Sequence, residues 1–310
     1  MKTNDKLTSY LDSIYTVFKE GTIHNLLPIL NINQKFVNTN KLKKYDSPFP
    51  SDRWSLFNQL CLAFDLSVQI RFNKAKIASE IDTKAAGFRQ WNALGRKIKQ
   101  GSKVGGYIFV PHIVEKKDNK TQDDKTQDNK NIEKVKVLSG FLIRPIFFYF
   151  QTEQIPGQEN KLKVPVFEIP YNFDNLIKTL NIKIKTGYSL HGEYGSTSLK
   201  NSEIKLASSE KSVFYHELAH AIHKNISKTK LLDKQDPEQE IIAELTSMML
   251  SYKLDNVVYQ DNIDYIKAYA EQITNKKSVL KILDTTDKIL NYIISNIIEE
   301  KPDLVEVPKL

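Results

Sequence analysis

Apolar positions recur at helical spacing in several parts of the chain. Leu7, Leu11, Ile14, Tyr15 and Phe18 step by three and four residues, which predicts an N-terminal helix. Trp54, Phe57, Leu60, Cys61 and Phe64 repeat the pattern for a second helix, and residues 83–99 read as a further helical piece ending at Gly101. Residues 21–52, with Pro28, Pro48 and Pro50, read as irregular. The pattern then turns strand-like: Tyr107 to Val114 predicts one strand and Val135 to Phe150 one or two more. Between them lies a polar stretch that repeats Lys-Thr-Gln-Asp and holds no large apolar residue over 115–131. It is expected to be a disordered loop, 115–134, closing a hairpin.

Residues 151–165 contain Pro156, Gly157 and a polar run, and read as a junction. At 310 residues two domains are expected, 1–155 and 156–310. In the second, 172–181 looks helical and 184–206 looks like short strands and turns around Gly187, Gly192 and Gly195. Helices follow at about 260–275 and 277–299. In the last one Ile289, Leu290, Ile293, Ile294 and Ile297 form a stripe expected to pack in a core. The fold class is α+β, with N-terminal helices beside a small antiparallel sheet.

The chemistry concentrates at His216-Glu217-Leu218-Ala219-His220. Residues four apart share a helix face, so His216 and His220 can aim two imidazoles at one metal ion, which suits zinc. Glu217 adjoins the first ligand and can act as a base on a metal-bound water, the candidate catalytic residue. Val213, Phe214, Leu218, Ala219, Ala221 and Ile222 supply apolar residues to anchor the helix. A third ligand candidate, Glu240, lies 20 residues beyond His220 on a new helix. That helix is opened by Asp236 as N-cap, Pro237 at its first position and Gln239 three past the cap. Glu244, one turn on, can accept the second N–H of a ligand histidine and fix its tautomer. Glu240 and Glu244 can exchange roles, with the spacing favouring Glu240 as ligand. For His223 a buried, hydrogen-bonding role ranks ahead of that of a transition-state donor.

His-Glu-x-x-His followed by Glu at this separation resembles the gluzincin metallopeptidases, whose second helix also carries an acidic residue one turn on. The resemblance implies metal ligands His216, His220 and Glu240, with Glu217 catalytic and Glu244 supporting a ligand histidine. The expected cofactor is Zn2+, and the ligand set also accepts Mn2+ or Co2+. An edge strand before the metal helix would hold an extended peptide.

Charge adds a second theme. The net charge is +8, and residues 1–115 carry all of it, with 17 Lys and Arg against 9 Asp and Glu; the remainder is balanced at 28 of each. Residues 71–103 hold nine basic side chains, among them Arg89, Arg96, Lys97, Lys99 and Lys103, against Glu80 and Asp82. Such an excess binds polyanions. Phe72, Phe88, Trp91 and Tyr107 lie within or beside it, and flat rings can stack on unpaired bases. For Trp91 the core and the stacking role are equally open. Hydrophobic residues make up 40% of the chain, and the single cysteine, Cys61, precludes an intrachain disulfide. The N-terminus has no secretory pattern and no apolar run is long enough to span a bilayer, so a soluble cytoplasmic protein without membrane contact is expected.

The segment from Gly87 to Pro111 is similar to the N-terminal domain of the ArdC antirestriction proteins. It has their Trp (Trp91), a Leu-Gly turn (Leu94, Gly95), a basic stretch, a Gly-x-Lys-x-Gly turn (Gly101 to Gly105) and a strand ending in Pro. Arg144 to Glu153, a strand running into Gln-Thr-Glu, also resembles that family. The resemblance runs from about Arg53 onward. It implies a single-stranded-DNA-binding domain, with Arg89, Trp91, Arg96, Lys97, Lys99 and Lys103 as DNA-binding candidates. It also implies a C-terminal zincin-like metallopeptidase fold and a role in protecting incoming mobile-element DNA from restriction. The partners so implied are single-stranded DNA and a protein substrate, a restriction enzyme or a repressor. Two alternatives stay open: a DNA-coating protein with a structural metal site, and a DNA-targeted peptidase that cleaves a repressor. Tyr188, His191, Tyr194 and His223 are candidate oxyanion donors.

Overall fold

Each long apolar repeat becomes a helix whose ends are set by local chemistry. The structure is a computed structural model that describes residues 3–30, 49–72, 80–117, 134–158, 162, 172–187, 194–198, 202–227, 236–273 and 275–297. Helix α1 (Thr3–Glu20) buries Leu11, Ile14 and Phe18 and stops at Gly21. Gly21 has a φ of +67°, and a Cβ there would lie 2.9 Å from Ile263 Cγ2, so only glycine fits this turn. Helix α2 (Leu56–Arg71) opens with Ser55, whose side chain accepts from the Asn58 N–H. It is apolar on more than one face because it serves two cores. Leu56, Phe57, Leu60, Cys61 and Ala63 join the main core, whereas Leu62 and Leu66 pack with Ala85, Ile108, Ile146 and Phe148.

The expected hairpin is present. Strands β3 (Gly106–Lys117) and β4 (Lys134–Phe148) pair antiparallel, with an irregularity between His112 and Ile113. The middle of the predicted loop, 118–133, lies outside the described residues. A short strand β1 (Ala85–Ala86) pairs with the far edge of β4. At the β3 edge the Asn58 side chain takes the place of a strand: its Nδ2 donates to Phe109 O (3.0 Å) and its Oδ1 accepts from Phe109 N (2.8 Å).

Residues 83–99 differ from expectation. Only α3 (Phe88–Ala93) is α-helical. Gly95, at φ +80°, turns the chain into β2 (Arg96–Ile98), which pairs with β5 (Thr152–Gln154) in the segment expected to be a junction. The backbone bonds of 96–98 therefore go to a strand more than 50 residues away, a partner that local periodicity does not report.

The C-terminal half begins with α4 (Asp174–Thr179) and a three-stranded sheet of β6 (Lys183–Thr186), β7 (Gly195–Ser198) and β8 (Glu203–Leu206). The order is β6-β8-β7, with β6 parallel and β7 antiparallel to β8, so β7 is an edge among the described residues. Among the described residues four α-helices follow: α5 (Lys211–Ile226), α6 (Pro237–Leu250), α7 (Gln260–Ala270) and α8 (Lys277–Ile297). Every residue of α6 from Glu240 onward is buried, which makes it the central helix. The predicted stripe of α8 is fully inside, each Ile or Leu contributing about 1.5–3 kcal/mol by burial.

The main core does not stop at residue 155. It runs from Leu11, Ile14 and Phe18 of α1 through α2 to α6, α7 and α8. Tyr15 donates its hydroxyl to Ile273 O at 2.7 Å, and Lys276 pairs with Asp12 at 2.6 Å. The first helix is thus packed on the last two. No helix among the described residues is long and apolar enough to cross a membrane.

Candidate metal centre

Two adjacent helices bring the three expected ligands together. Helix α5 buries Tyr215, Leu218, Ala219 and Ile222 and leaves His216 and His220 half-buried, one turn apart. Helix α6 starts where the sequence predicts: Asp236 Oδ1 accepts from Gln239 N at 3.1 Å and Pro237 occupies the first position. Ser247 Oγ donates to Ser212 O at 2.7 Å and pins α6 to the base of α5. These contacts fix the register that sets Glu240 opposite the two histidines.

The geometry fits a cation. His216 Nε2 and His220 Nε2 are 3.0 Å apart, and Glu240 Oε2 lies 3.5 Å from the first and 3.6 Å from the second. Metal–ligand bonds of about 2.0–2.1 Å at tetrahedral angles place neighbouring ligand atoms about 3.4 Å apart. The triangle matches that spacing. His216, His220 and Glu240 form a group among the described residues whose donor atoms could hold one metal ion. Burial opposes a charge on His216, but hydrogen bonds to Glu240 and Glu244, with the charges of Glu244 and Glu217, raise it to about 10. Burial likewise works against ionised Glu240, yet its hydrogen bonds with both histidines bring it down to about 2. The side chains therefore favour positive charge at the point where a divalent ion would sit.

Glu244 takes the supporting position. Its Oε1 lies 3.0 Å from His216 Nδ1, and its Oε2 accepts from Asn262 Nδ2 of α7 at 2.6 Å. His216 is thus held with Nδ1–H toward Glu244 and Nε2 toward the triangle, and Glu240 rather than Glu244 faces the Nε2 pair.

Glu217 is largely buried, at 6% exposure, and burial raises its pKa against the lowering effects of His216, Thr197 and His220. Thr197 Oγ1 of β7 lies 2.6 Å from Glu217 Oε2 and 2.9 Å from Glu217 O. A hydroxyl has one hydrogen, so ionised Glu217 receives it at Oε2, and protonated Glu217 can donate to Oγ1 while the hydroxyl turns to the carbonyl. Among the described residues no hydrogen bond to Oε1 is seen, and Oε1 faces Gly195.

His223 is buried as expected but is not a member of the ligand group, and its enclosed Nδ1 has no hydrogen-bond partner. Burial, with the nearby His220 and Lys281, lowers it to about 4, so it is neutral near pH 7. Tyr194 is exposed beside β7; Tyr188 and His191 lie outside the described residues. Thr197 and Asn262 have no signal in the local sequence.

In the N-terminal half Arg89, Lys97, Lys99 and Lys103 are exposed. Lys97 pairs with Glu153 at 3.2 Å, and Lys99 Nζ donates to Phe150 O at 2.8 Å. Two of the DNA-binding candidates are corrected. Trp91 is fully buried between Phe49 and Tyr149, and its Nε1 donates to Phe147 O at 2.9 Å, which leaves no ring face for a base. Arg96 is buried too, with Nε donating to Thr152 Oγ1 (2.6 Å), a terminal nitrogen donating to Thr152 O (3.0 Å), and the guanidinium over the Tyr149 ring. Both are framework residues. Among the described residues the exposed aromatics here are Phe72 and Phe88. Lys74 and Lys76 lie outside the described residues.

No family model and no curated protein sequence matches the chain. Among solved structures it is similar to the antirestriction protein ArdC from plasmid R388. The Mn(II)-bound form of that protein aligns with a TM-score of 0.50 at 14% identity, covering 88% of this chain and 97% of that one. The metal-free form aligns at 0.49 and 16%, covering 78% and 85%. At this identity the likeness is one of fold.

Proposed function

We propose, for a chain that shares the fold of the ArdC antirestriction protein over most of its length, that it protects incoming mobile-element DNA. In this reading residues 1–155 bind single-stranded DNA and residues 156–310 carry a zincin-like, metal-dependent peptidase site. The observation that carries the reading is the triangle of two imidazole nitrogens and one carboxylate oxygen, with the Glu217 carboxylate beside it. His216, His220 and Glu240 would hold the ion, Zn2+ or another divalent metal; the R388 protein has been solved with Mn(II). When bound, such an ion acidifies a water to a pKa of about 7 and polarises a carbonyl.

The chain's own groups do the rest. Glu217, with its Oε2 held by Thr197, takes the proton of the attacking water and returns it to the leaving amine. Glu244 and Asn262 keep His216 in the tautomer that leaves Nε2 free. As an edge strand among the described residues, β7 can pair with an extended peptide. In the N-terminal half, Arg89, Lys97, Lys99 and Lys103 would track phosphates while Phe88 offers a stacking face.

Glu217→Gln tests the reading, since it keeps the ligands and removes the base. Loss of both peptide cleavage and DNA protection is expected. Loss of cleavage with protection intact would replace the enzyme with a DNA-coating protein.

A further inference from the structure

We infer that Thr197 is the positioning residue for Glu217, and that β7 is built to hold that carboxylate in one orientation. The inference rests on the peptidase reading above. A glutamate has three side-chain torsions, and an unrestrained carboxylate samples many orientations. Here two residues of the edge strand restrict it. Thr197 Oγ1 reaches Glu217 Oε2 at 2.6 Å across 20 residues of sequence. Two positions earlier, on the same face of the strand, Gly195 lays bare backbone against the same side chain. A Cβ at 195 would stand 2.9 Å from Glu217 Oε1, 3.0 Å from its Cγ and 2.7 Å from Val213 Cγ1, too close for any other residue without a shift.

The strand itself is fixed. Thr197 pairs with Ile204 of β8, which is fully buried in the main core. Position 197 is therefore tied to the sheet as well as to the metal helix, and the sheet supplies an external reference for Glu217. The contact takes one carboxylate oxygen, Oε2, so Oε1 is the one that would meet a substrate water. Positioning of this kind matters because a base misplaced by an ångström can lose about two orders of magnitude in rate.

The test uses the full-length, metal-loaded chain with fluorogenic casein as the peptide probe, and compares wild type with Thr197→Val and Thr197→Ser. Thr197→Val is expected to lower kcat about a hundredfold, with KM and bound metal unchanged, and Thr197→Ser to restore kcat to within a few-fold. Equal kcat for Thr197→Val and wild type, or no rescue by serine, overturns the inference. A second measurement is independent of turnover. Thr197→Val should lower Tm when Glu217 is present and much less in a Glu217→Ala background; additive shifts overturn the inference. A wild-type chain that never cleaves casein overturns the peptidase reading, and the thermal cycle then decides the contact alone.

Discussion

Replacing Glu244 by Gln should weaken metal binding although Glu244 is not one of the three ligands. Both of its oxygens accept hydrogen bonds, Oε1 from His216 Nδ1 at 3.0 Å and Oε2 from Asn262 Nδ2 at 2.6 Å. Glutamine keeps the shape but has one acceptor and one donor end. With its oxygen toward His216, its NH2 meets the Asn262 NH2. Asn262 could turn its amide to accept, but it would then lose its 3.3 Å contact to Ser247 Oγ and bury its NH2 where Oδ1 now has no partner. With the amide reversed, the substituted side chain presents N–H to the Nδ1–H of His216 and favours the wrong tautomer. Either way His216 loses a charged acceptor that makes it a better donor to the ion. Losses at such supporting contacts are about 10- to 100-fold in affinity, or about 1.4–2.7 kcal/mol. Competition titration of Zn2+ and Mn2+ against a chromogenic chelator measures this directly, with circular dichroism to confirm the fold. A folded Glu244→Gln chain that binds both ions within twofold of wild type would refute the reasoning.

Three further outcomes are expected. Burial raises Asp65 to about 6, against the lowering effects of its hydrogen bonds from the Tyr10 hydroxyl and Tyr107 N–H and of nearby Lys6. A carboxyl with a raised folded pKa favours the protonated fold, so stability should fall by roughly 2–3 kcal/mol as pH rises from about 4 to about 6; Asp65→Asn should flatten that window in urea titrations. Trp91→Ala should cost roughly 3–5 kcal/mol of stability, whereas Phe88→Ala should leave Tm nearly unchanged and weaken single-stranded DNA binding by about 1–3 kcal/mol. Lys97→Ala with Lys99→Ala should reduce the slope of log affinity against log salt by about 0.7 for each lost phosphate contact; an unchanged slope removes both from the phosphate track.

The metal site was the most legible part of the chain because its geometry is local. A spacing of four places two histidines on one face, and Asp236 with Pro237 fixes where the next helix starts, so Glu240 and Glu244 follow by counting turns. The α8 stripe and the hairpin were legible for the same reason: a periodic pattern reports its own element. What the sequence hid depends on distant partners. Trp91 sits in a basic run that says nothing of Phe49, Phe147 and Tyr149, which enclose it. Residues 96–98 scan as helix until Thr152–Gln154 offer a ladder. Thr197 and Asn262 reach the site from a strand before it and a helix after it, with no fixed offset to count. Packing of α1 on α7 and α8 likewise cannot be read from a repeat that shows only that one face is apolar.

The most direct measurement is an anomalous difference map, collected at the zinc edge from a crystal of the zinc-loaded chain. One strong peak within about 2.0–2.2 Å of His216 Nε2, His220 Nε2 and a Glu240 oxygen, absent from His220→Ala, is the expected result. A peak elsewhere, or none at full zinc loading, would contradict the shared-ion site on which the proposed chemistry depends.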